Sequence, residues 1–366
     1  MRLIIAGGGT GGHIFPALAI AEEFEAQGTD NQALFIGARA GLEAELLKDK
    51  NVKLIRGGKF SGMGRLNKIK GLGESLIGVF QAISIIREFK PQVILGVGGY
   101  VSVPVVIAGF LMRKKIAIQE QNSYPGLANR FLALLSDRVF LSFAPAKKFF
   151  RFTKEGKFIV AGNPLRRKLV EELKSNETED KKGNSTFRIL VVGGSQGAKR
   201  LNQLMMEALA YLEEIREKIK VVHMTGAHLS EELKQAYRQK RVKAEVKKFI
   251  EDIGKEFKQA DLVISRSGAG AIFELAMAGK PGILIPYPYS ANQHQVLNAR
   301  YLTDQGAGLM FLEKDLDAKK LADAILQLFE HPEQRAEMGK KARSLAIPEA
   351  SKTIVEEIIR MGVAGR

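Results

Sequence analysis

The sequence predicts an α/β protein built from two doubly wound parallel sheets, and three observations predict it. Short β-branched runs alternate with amphipathic segments from one end of the chain to the other, the pattern of parallel strands joined by crossover helices. At 366 residues the chain exceeds what one hydrophobic core usually supports, so two domains are expected. An internal echo completes the set: "LIIAGGGTGGH" (3–13) and "ILVVGGSQGAK" (189–199) both run from an apolar strand through two glycines, two residues and a further glycine into a helix.

In the first half, strands are expected at 2–6, 32–36, 52–55, 92–95, 115–118, 138–141 and 157–160, with helices between them. In the second half they fall at 187–192, 219–224, 243–247, 261–264, 282–285 and 308–311. The polar stretch "LKSNETEDKKGNST" (173–186) lacks apolar periodicity and is the best linker. Domains of 1–164 and 165–348 follow, with a last helix beyond them.

Composition narrows the function classes. The absence of cysteine excludes disulfide and thiolate chemistry and fits a reducing compartment. Met1 leads straight into a strand-like run without a signal-peptide pattern, so export is not expected. The longest apolar stretch, "VSVPVVIAGFLM" (101–112), is too short to span a bilayer and contains Pro104. A formal net charge of +16 fits an anionic partner (nucleic acid, lipid head groups or a phosphorylated substrate) or simply a Lys-rich solvated surface.

Both glycine turns suit anion binding. Glycine permits close backbone approach, and a helix start offers N–H groups with partial positive charge. "GVGGYVS" (96–102) stands at another strand end, where ligands sit in open α/β sheets. If the domains face each other, the three loops line one cleft. Gly7 to Gly12 also satisfies GxGxxG, the dinucleotide fingerprint, but the second strand ends "LFIGARAG" without the carboxylate that ribose requires. Arg39 would suit only a 2′-phosphate, and one dinucleotide site does not explain the second turn.

Seven motifs then come in a recognisable order: "GGGTGGHIFPALAIAEEF", "GVGGYVSVP", "EQNSYPGLANR", "GNPLR", "GGSQGAKRLN", "RSGAGAIFELAMAGKP" and "HQVLNARYL". From residue 2 to 306 the chain resembles the bacterial peptidoglycan N-acetylglucosaminyltransferases of glycosyltransferase family 28. The resemblance implies a GT-B fold, two Rossmann-like domains facing across a cleft, with the helix at 349–366 packing back on the first. It implies inverting transfer of GlcNAc from UDP-GlcNAc to the MurNAc 4-hydroxyl of lipid I, giving lipid II and UDP.

Carried over motif by motif, the resemblance assigns the donor nucleotide to Arg166, Ser195, Ile250, the run Ala269, Gly270, Ala271, Ile272, Phe273 and Glu274, and Gln295. Arg166 pairs with diphosphate, Ser195 adds a hydroxyl, Ile250 meets uracil through its main chain, and Glu274 accepts from ribose hydroxyls. Where relatives often have Leu-Thr, this chain has Gly270 and Ala271, which removes a hydroxyl contact. Gln295 is expected on a GlcNAc hydroxyl, with His294 as a weaker candidate. Thr10, Gly11, Gly12 and Asn122 are expected near the sugar or a diphosphate, and Gly98, Gly99 and Tyr100 on the acceptor side.

Inverting transfer needs a base. His13 is the first choice, because the positive end of a helix favours neutral imidazole; Glu120 is the second. A helix cap or a structural hydrogen bond remains open for His13. Gln119 stands where many relatives have histidine and cannot be the base. No Asp-x-Asp motif stands in a plausible place, since "TED" in the linker and "DLD" at 315–317 suit solvated surface; no obligatory cofactor or protein-held metal is expected.

The acceptor's polyprenyl chain implies peripheral work on the cytoplasmic face of the inner membrane. "LNKIKGLGESLIGVFQAISIIREF" (66–89) places Ile69, Leu72, Leu76, Val79, Phe80 and Ile83 on one helical face beside Arg65, Lys68 and Lys70, with Arg113 to Lys115 as an extension. That stripe suits anionic lipid, or packs on the sheet. The expected partners are UDP-GlcNAc, lipid I, an anionic membrane surface and cell-wall synthesis or division proteins. No RNA or DNA motif appears. A glycolipid transferase or a UDP-GlcNAc 2-epimerase of the same fold is the alternative.

Overall fold

A computed structural model describes residues 1–8, 11–38, 50–57, 65–175, 186–194 and 197–364, the side chains of 65–72 excepted. The chain forms two compact units, Met1–Arg167 with Ile347–Arg366, and Lys168–Ala346. Every expected strand is present within two residues of its expected position.

In unit 1 the strands are β1 (Arg2–Ala6), β2 (Gln32–Ala38), β3 (Val52–Ile55), β4 (Val93–Gly96), β5 (Lys115–Glu120), β6 (Arg138–Leu141) and β7 (Phe158–Val160). They pair in parallel in the order β3-β2-β1-β4-β5-β6-β7. The order reverses between β1 and β4, where such sheets open a crevice for ligands. The helices are α1 (Gly11–Ala26), α2 (Arg65–Phe89), α3 (Ser102–Leu111) and α4 (Leu127–Leu135).

Strand alternation separates the two faces of this sheet. Leu3 and Ile5 join a core with Ile20 and Phe24 of α1 and Ile354 and Ile358 of the C-terminal helix Ala350–Val363. Ile4 and Ala6 face the other way, against Ala82 and Ile86 of α2 and Val105 of α3. The C-terminal helix is pinned by its buried Glu357, which accepts from Arg138 Nε at 2.6 Å and pairs with Arg360 at 2.7 Å.

The first helix of unit 2 is α5 (Arg167–Lys174), at the boundary. The strands β8 (Phe187–Val192), β9 (Ile219–Met224), β10 (Lys243–Lys247), β11 (Leu262–Ser265), β12 (Gly282–Leu284) and β13 (Gly308–Met310) form a parallel sheet ordered β10-β9-β8-β11-β12-β13. Its helices are α6 (Lys199–Ala208), α7 (Ser230–Gln239), α8 (Ile253–Gln259), α9 (Ala269–Ala278), α10 (His294–Thr303), α11 (Ala318–Glu330) and α12 (Pro332–Ser344). Asp317 of the "DLD" run caps α11 by accepting from Lys320 N–H at 2.8 Å, a local role that a charge-only reading misses.

Of the expected linker, residues 176–185 lie outside the described set. So do Thr10, Ser195 and the side chains of Lys68, Ile69, Lys70 and Leu72.

Candidate active site

In unit 1 the helix that follows β1 begins at Gly11, placing Gly11, Gly12 and His13 in its first turn. Pro16 follows inside the helix and has no N–H to give the Gly12 carbonyl. The loop after β4 closes on the same point. Gly98 and Gly99 have φ of +97° and +78°, and a Cβ on Gly98 would lie 2.8 Å from His13 Cε1, one on Gly99 2.4 Å from the Gly8 carbonyl oxygen. Only glycine fits there. The two glycines assigned to the acceptor side therefore pack directly on the histidine and the glycine turn.

His13 is half-buried, and its Nδ1 stands 3.0 Å from Gln121 Oε1. Gln121 is 1% exposed, and its amide nitrogen donates to the Val97 carbonyl at 2.7 Å and to Gln119 Oε1. The loop after β5 thus supports the histidine from below.

Glu120 points into its own loop. It is 2% exposed; Oε1 accepts from Asn122 N–H at 2.8 Å, and Oε2 from Gly126 N–H at 3.1 Å and Asn129 Nδ2 at 2.9 Å. Burial pushes its pKa up against these hydrogen bonds, which pull it down. Its lone pairs hold residues 120–129 in shape, which suits a loop anchor better than a proton acceptor for substrate. Asn122 is held in the same turn, with Nδ2 3.5 Å from Glu120 Oε1.

Arg166 clusters with unit 1, and its guanidinium lies 5.6 Å over the Phe15 ring of α1. The cation is thereby held over a ring that stands two residues after His13 in the chain. Tyr100 is half-buried beside Gly57, within 3.0 Å of a Cβ built there.

In unit 2 the loop "RSGAG" opens α9. A Cβ on Gly268 or Gly270 meets no described atom within 4 Å, so a ligand has room at the helix N-terminus. Ala269, Ile272 and Phe273 are buried, and Phe273 stacks on Tyr301 with ring centroids 5.4 Å apart. Those three can offer a ligand only main chain. Ala271 and Glu274 are half-buried on the open side. The Ile250 side chain is likewise buried, in keeping with a main-chain contact.

Gln295 holds this loop: its Oε1 accepts from Ser267 N–H at 3.2 Å and Tyr287 N–H at 2.9 Å. Only its amide nitrogen is then suited to meet a sugar hydroxyl. The preceding Asn292 and Gln293 are left-handed, with φ of 51° and 53°, a strained approach of the kind found at binding loops. His294 Nδ1 lies 2.9 Å from the Ala291 carbonyl, and burial holds its pKa below the usual range.

Two residues that the sequence left unassigned complete the frame. Buried Arg266 donates to the Ile285 carbonyl at 3.1 Å, pairs with Glu313 at 2.5 Å and lies 5.6 Å over the Tyr287 ring. Asn298 Nδ2 donates to the Ser267 carbonyl at 3.1 Å. Arg266 stands beside the glycines of "RSGAG" and Asn298 within "HQVLNARYL", and the burial that gives each its role is a tertiary property.

The apolar stripe of α2 divides. Val79 and Ile83 pack toward the core with Ala82 and Ile86, whereas Leu76 and Phe80 are 56% and 73% exposed. Of the stripe's members with described side chains, two pack on the core and two face solvent, so the helix offers a surface for each of the two readings of the stripe. Phe110 and Leu111 at the end of α3, and Leu127 and Phe131 on α4, are exposed too. Among the described residues no helix is long and apolar enough to cross a membrane.

Comparison with known proteins places this geometry. Residues 3–141 match the glycosyltransferase family 28 N-terminal domain and residues 188–354 its C-terminal domain. Over 363 residues, 98% of this chain and 96% of the relative, the chain is 43% identical to the UDP-N-acetylglucosamine:N-acetylmuramyl-(pentapeptide) pyrophosphoryl-undecaprenol N-acetylglucosamine transferase of Geobacter sp. strain M21. It is similar to the crystal structure of Acinetobacter baumannii MurG, with a TM-score of 0.79 and 28% identity, over 98% of this chain and 99% of that one. The UDP-GlcNAc 2-epimerase of Neisseria meningitidis, solved with UDP-GlcNAc, shares the fold alone: TM-score 0.68 and 15% identity, over 98% and 100% of the two chains.

Proposed function

The chain belongs to glycosyltransferase family 28, and on that footing we propose that it transfers N-acetylglucosamine from UDP-GlcNAc to the MurNAc 4-hydroxyl of undecaprenyl-pyrophosphoryl-MurNAc-pentapeptide. The observation that carries this is kinship of 43% identity, nearly end to end, with a transferase of that name. The acceptor oxygen attacks C1 of the sugar as the bond from C1 to the UDP oxygen breaks. The anomeric centre inverts, the electron pair leaves on UDP, and the acceptor proton passes to His13.

Unit 2 holds the donor. The N–H groups opening α9 meet the diphosphate, where negative charge grows in the transition state. Glu274 takes the ribose, the main chain at Ile250 takes uracil, and the amide nitrogen of Gln295 meets the sugar. By their motifs Arg166 and Ser195 are assigned a cation and a hydroxyl for the donor, and Thr10, Gly11, Gly12 and Asn122 contacts with sugar or diphosphate. No obligatory cofactor or protein-held metal enters this scheme.

Unit 1 supplies the base and a lipid-facing surface. Leu76 and Phe80, with the basic run Arg65, Lys68 and Lys70 preceding them in sequence, suit peripheral contact with an anionic leaflet. The enzyme then works at the cytoplasmic face of the membrane, in reach of other cell-wall synthesis and division proteins.

Product identity tests the proposal. Incubation with UDP-GlcNAc and a soluble lipid I analogue is expected to give a β-1,4-linked GlcNAc-MurNAc product. UDP-ManNAc in place of a disaccharide overturns it in favour of an epimerase.

A further inference from the structure

We infer that Gln121 is a positioning residue that fixes the tautomer of His13, so that the neutral ring carries its proton on Nδ1 and its lone pair on Nε2. This extends the assignment of His13 as the base and rests on it for its catalytic meaning. The geometry begins at a backbone carbonyl. The Val97 oxygen can only accept, and it lies 2.7 Å from the Gln121 side chain, so the amide nitrogen must stand there and Oε1 must face His13. An amide oxygen can only accept as well, so His13 Nδ1, 3.0 Å away, must be the donor.

The second amide hydrogen of Gln121 goes to Gln119 Oε1. That fixes Gln119 in turn: its nitrogen donates to Ser142 Oγ at 3.1 Å, and the Ser142 hydroxyl donates to Asn163 Oδ1 at 3.2 Å. Gln119, Gln121, Ser142 and Asn163 are each at most 1% exposed, so water offers no alternative partner to a reversed amide. Gly98 closes one side of the ring, where a Cβ would lie 2.9 Å from Nδ1. The imidazole is therefore held in both orientation and tautomer.

The chemistry of the orienting group is distinctive. A carboxylate on Nδ1 would hold the ring by stabilising its cation, whereas an amide holds it without adding charge. Glu120, the neighbouring carboxylate, is turned into its own loop. From Gln121 through Asn163 the chain of side chains contains three amides and one hydroxyl and no titratable group, so its donor directions do not change with pH. A base that must begin the reaction neutral is well served by such a partner.

The test is the ring ¹⁵N spectrum of the full chain, which has five histidines, with His13 assigned by its loss in His13→Gln. Above the pH of imidazole titration the wild type is expected to show a protonated-type Nδ1 and a lone-pair-type Nε2. Gln121→Met, which keeps the bulk and removes the acceptor, is expected to shift the ring toward the Nε2–H tautomer. It should also lower kcat about 10- to 100-fold while donor KM stays within about two-fold.

An Nε2–H tautomer in the wild type overturns the inference whether or not the variant folds. A Gln121→Met enzyme with unchanged kcat and tautomer overturns it too. Full turnover by His13→Ala would instead remove the base assignment and leave the tautomer measurement standing.

Discussion

His13 owes its place to three segments that are remote in sequence: the helix start after β1, the glycines after β4 and the amide chain after β5. His13→Ala should therefore lower kcat about 100-fold or more with little change in donor KM, as general-base loss does; steady-state kinetics with both substrates varied gives the answer. Near-normal turnover would mean the ring is only a structural partner of Gln121. The histidine and the glycines were legible in "GGGTGGH" and "GVGGY" because turn chemistry is local. Gln121 was not, since it stands 108 residues from His13 and its role exists only once the sheet brings the ends of β1 and β5 together on either side of β4. Glu120 misleads for the same reason: a carboxylate at a strand end reads as a reactive group until its loop is seen to fold back onto it.

At the scale of elements, α2 serves the core with one side and shows solvent the other. Replacing both Leu76 and Phe80 by glutamate should leave folding intact, because both are exposed, and weaken binding to anionic vesicles about tenfold or more. Unchanged sedimentation with vesicles would restrict the helix to packing. In unit 2, His223 ties three elements together: Tyr237 of α7 lies 3.0 Å from Nδ1 and Asn202 Oδ1 of α6 lies 3.1 Å from Nε2. Burial lowers its pKa from 6.5 to about 3, so the folded state keeps the ring neutral while the unfolded chain protonates it. The stability this provides is complete above pH 6.5 and is lost as pH falls toward 3, at about 1.4 kcal/mol per pH unit. Urea unfolding of unit 2 at pH 7 and pH 5 should show that loss, and His223→Gln should remove most of it. An identical pH slope in the variant would contradict the assignment. The strands were readable to within two residues because period and turn signals are local. The division of the α2 stripe was not, since periodicity gives the width of an apolar arc and not how much of it a neighbour covers.

For the whole molecule, the echo of two glycine turns becomes two sheets that share a six-strand order, the first with β7 added at its edge, each reversing beside its first strand. The same fold occurs in an epimerase, so architecture alone does not choose the reaction; near-full-length kinship does. Because the scheme assigns leaving-group charge to main-chain N–H groups and arginine, turnover should persist within about two-fold in excess EDTA. Collapse of activity on chelation, with recovery on added divalent ion, would require a metal in the scheme. The central claim, that sugar passes from UDP to a lipid-linked acceptor, is tested most directly by UDP release measured against concentration of a lipid I analogue. The expected result is release that rises and saturates with acceptor and nearly vanishes without it; release at the same rate with no acceptor present would contradict it.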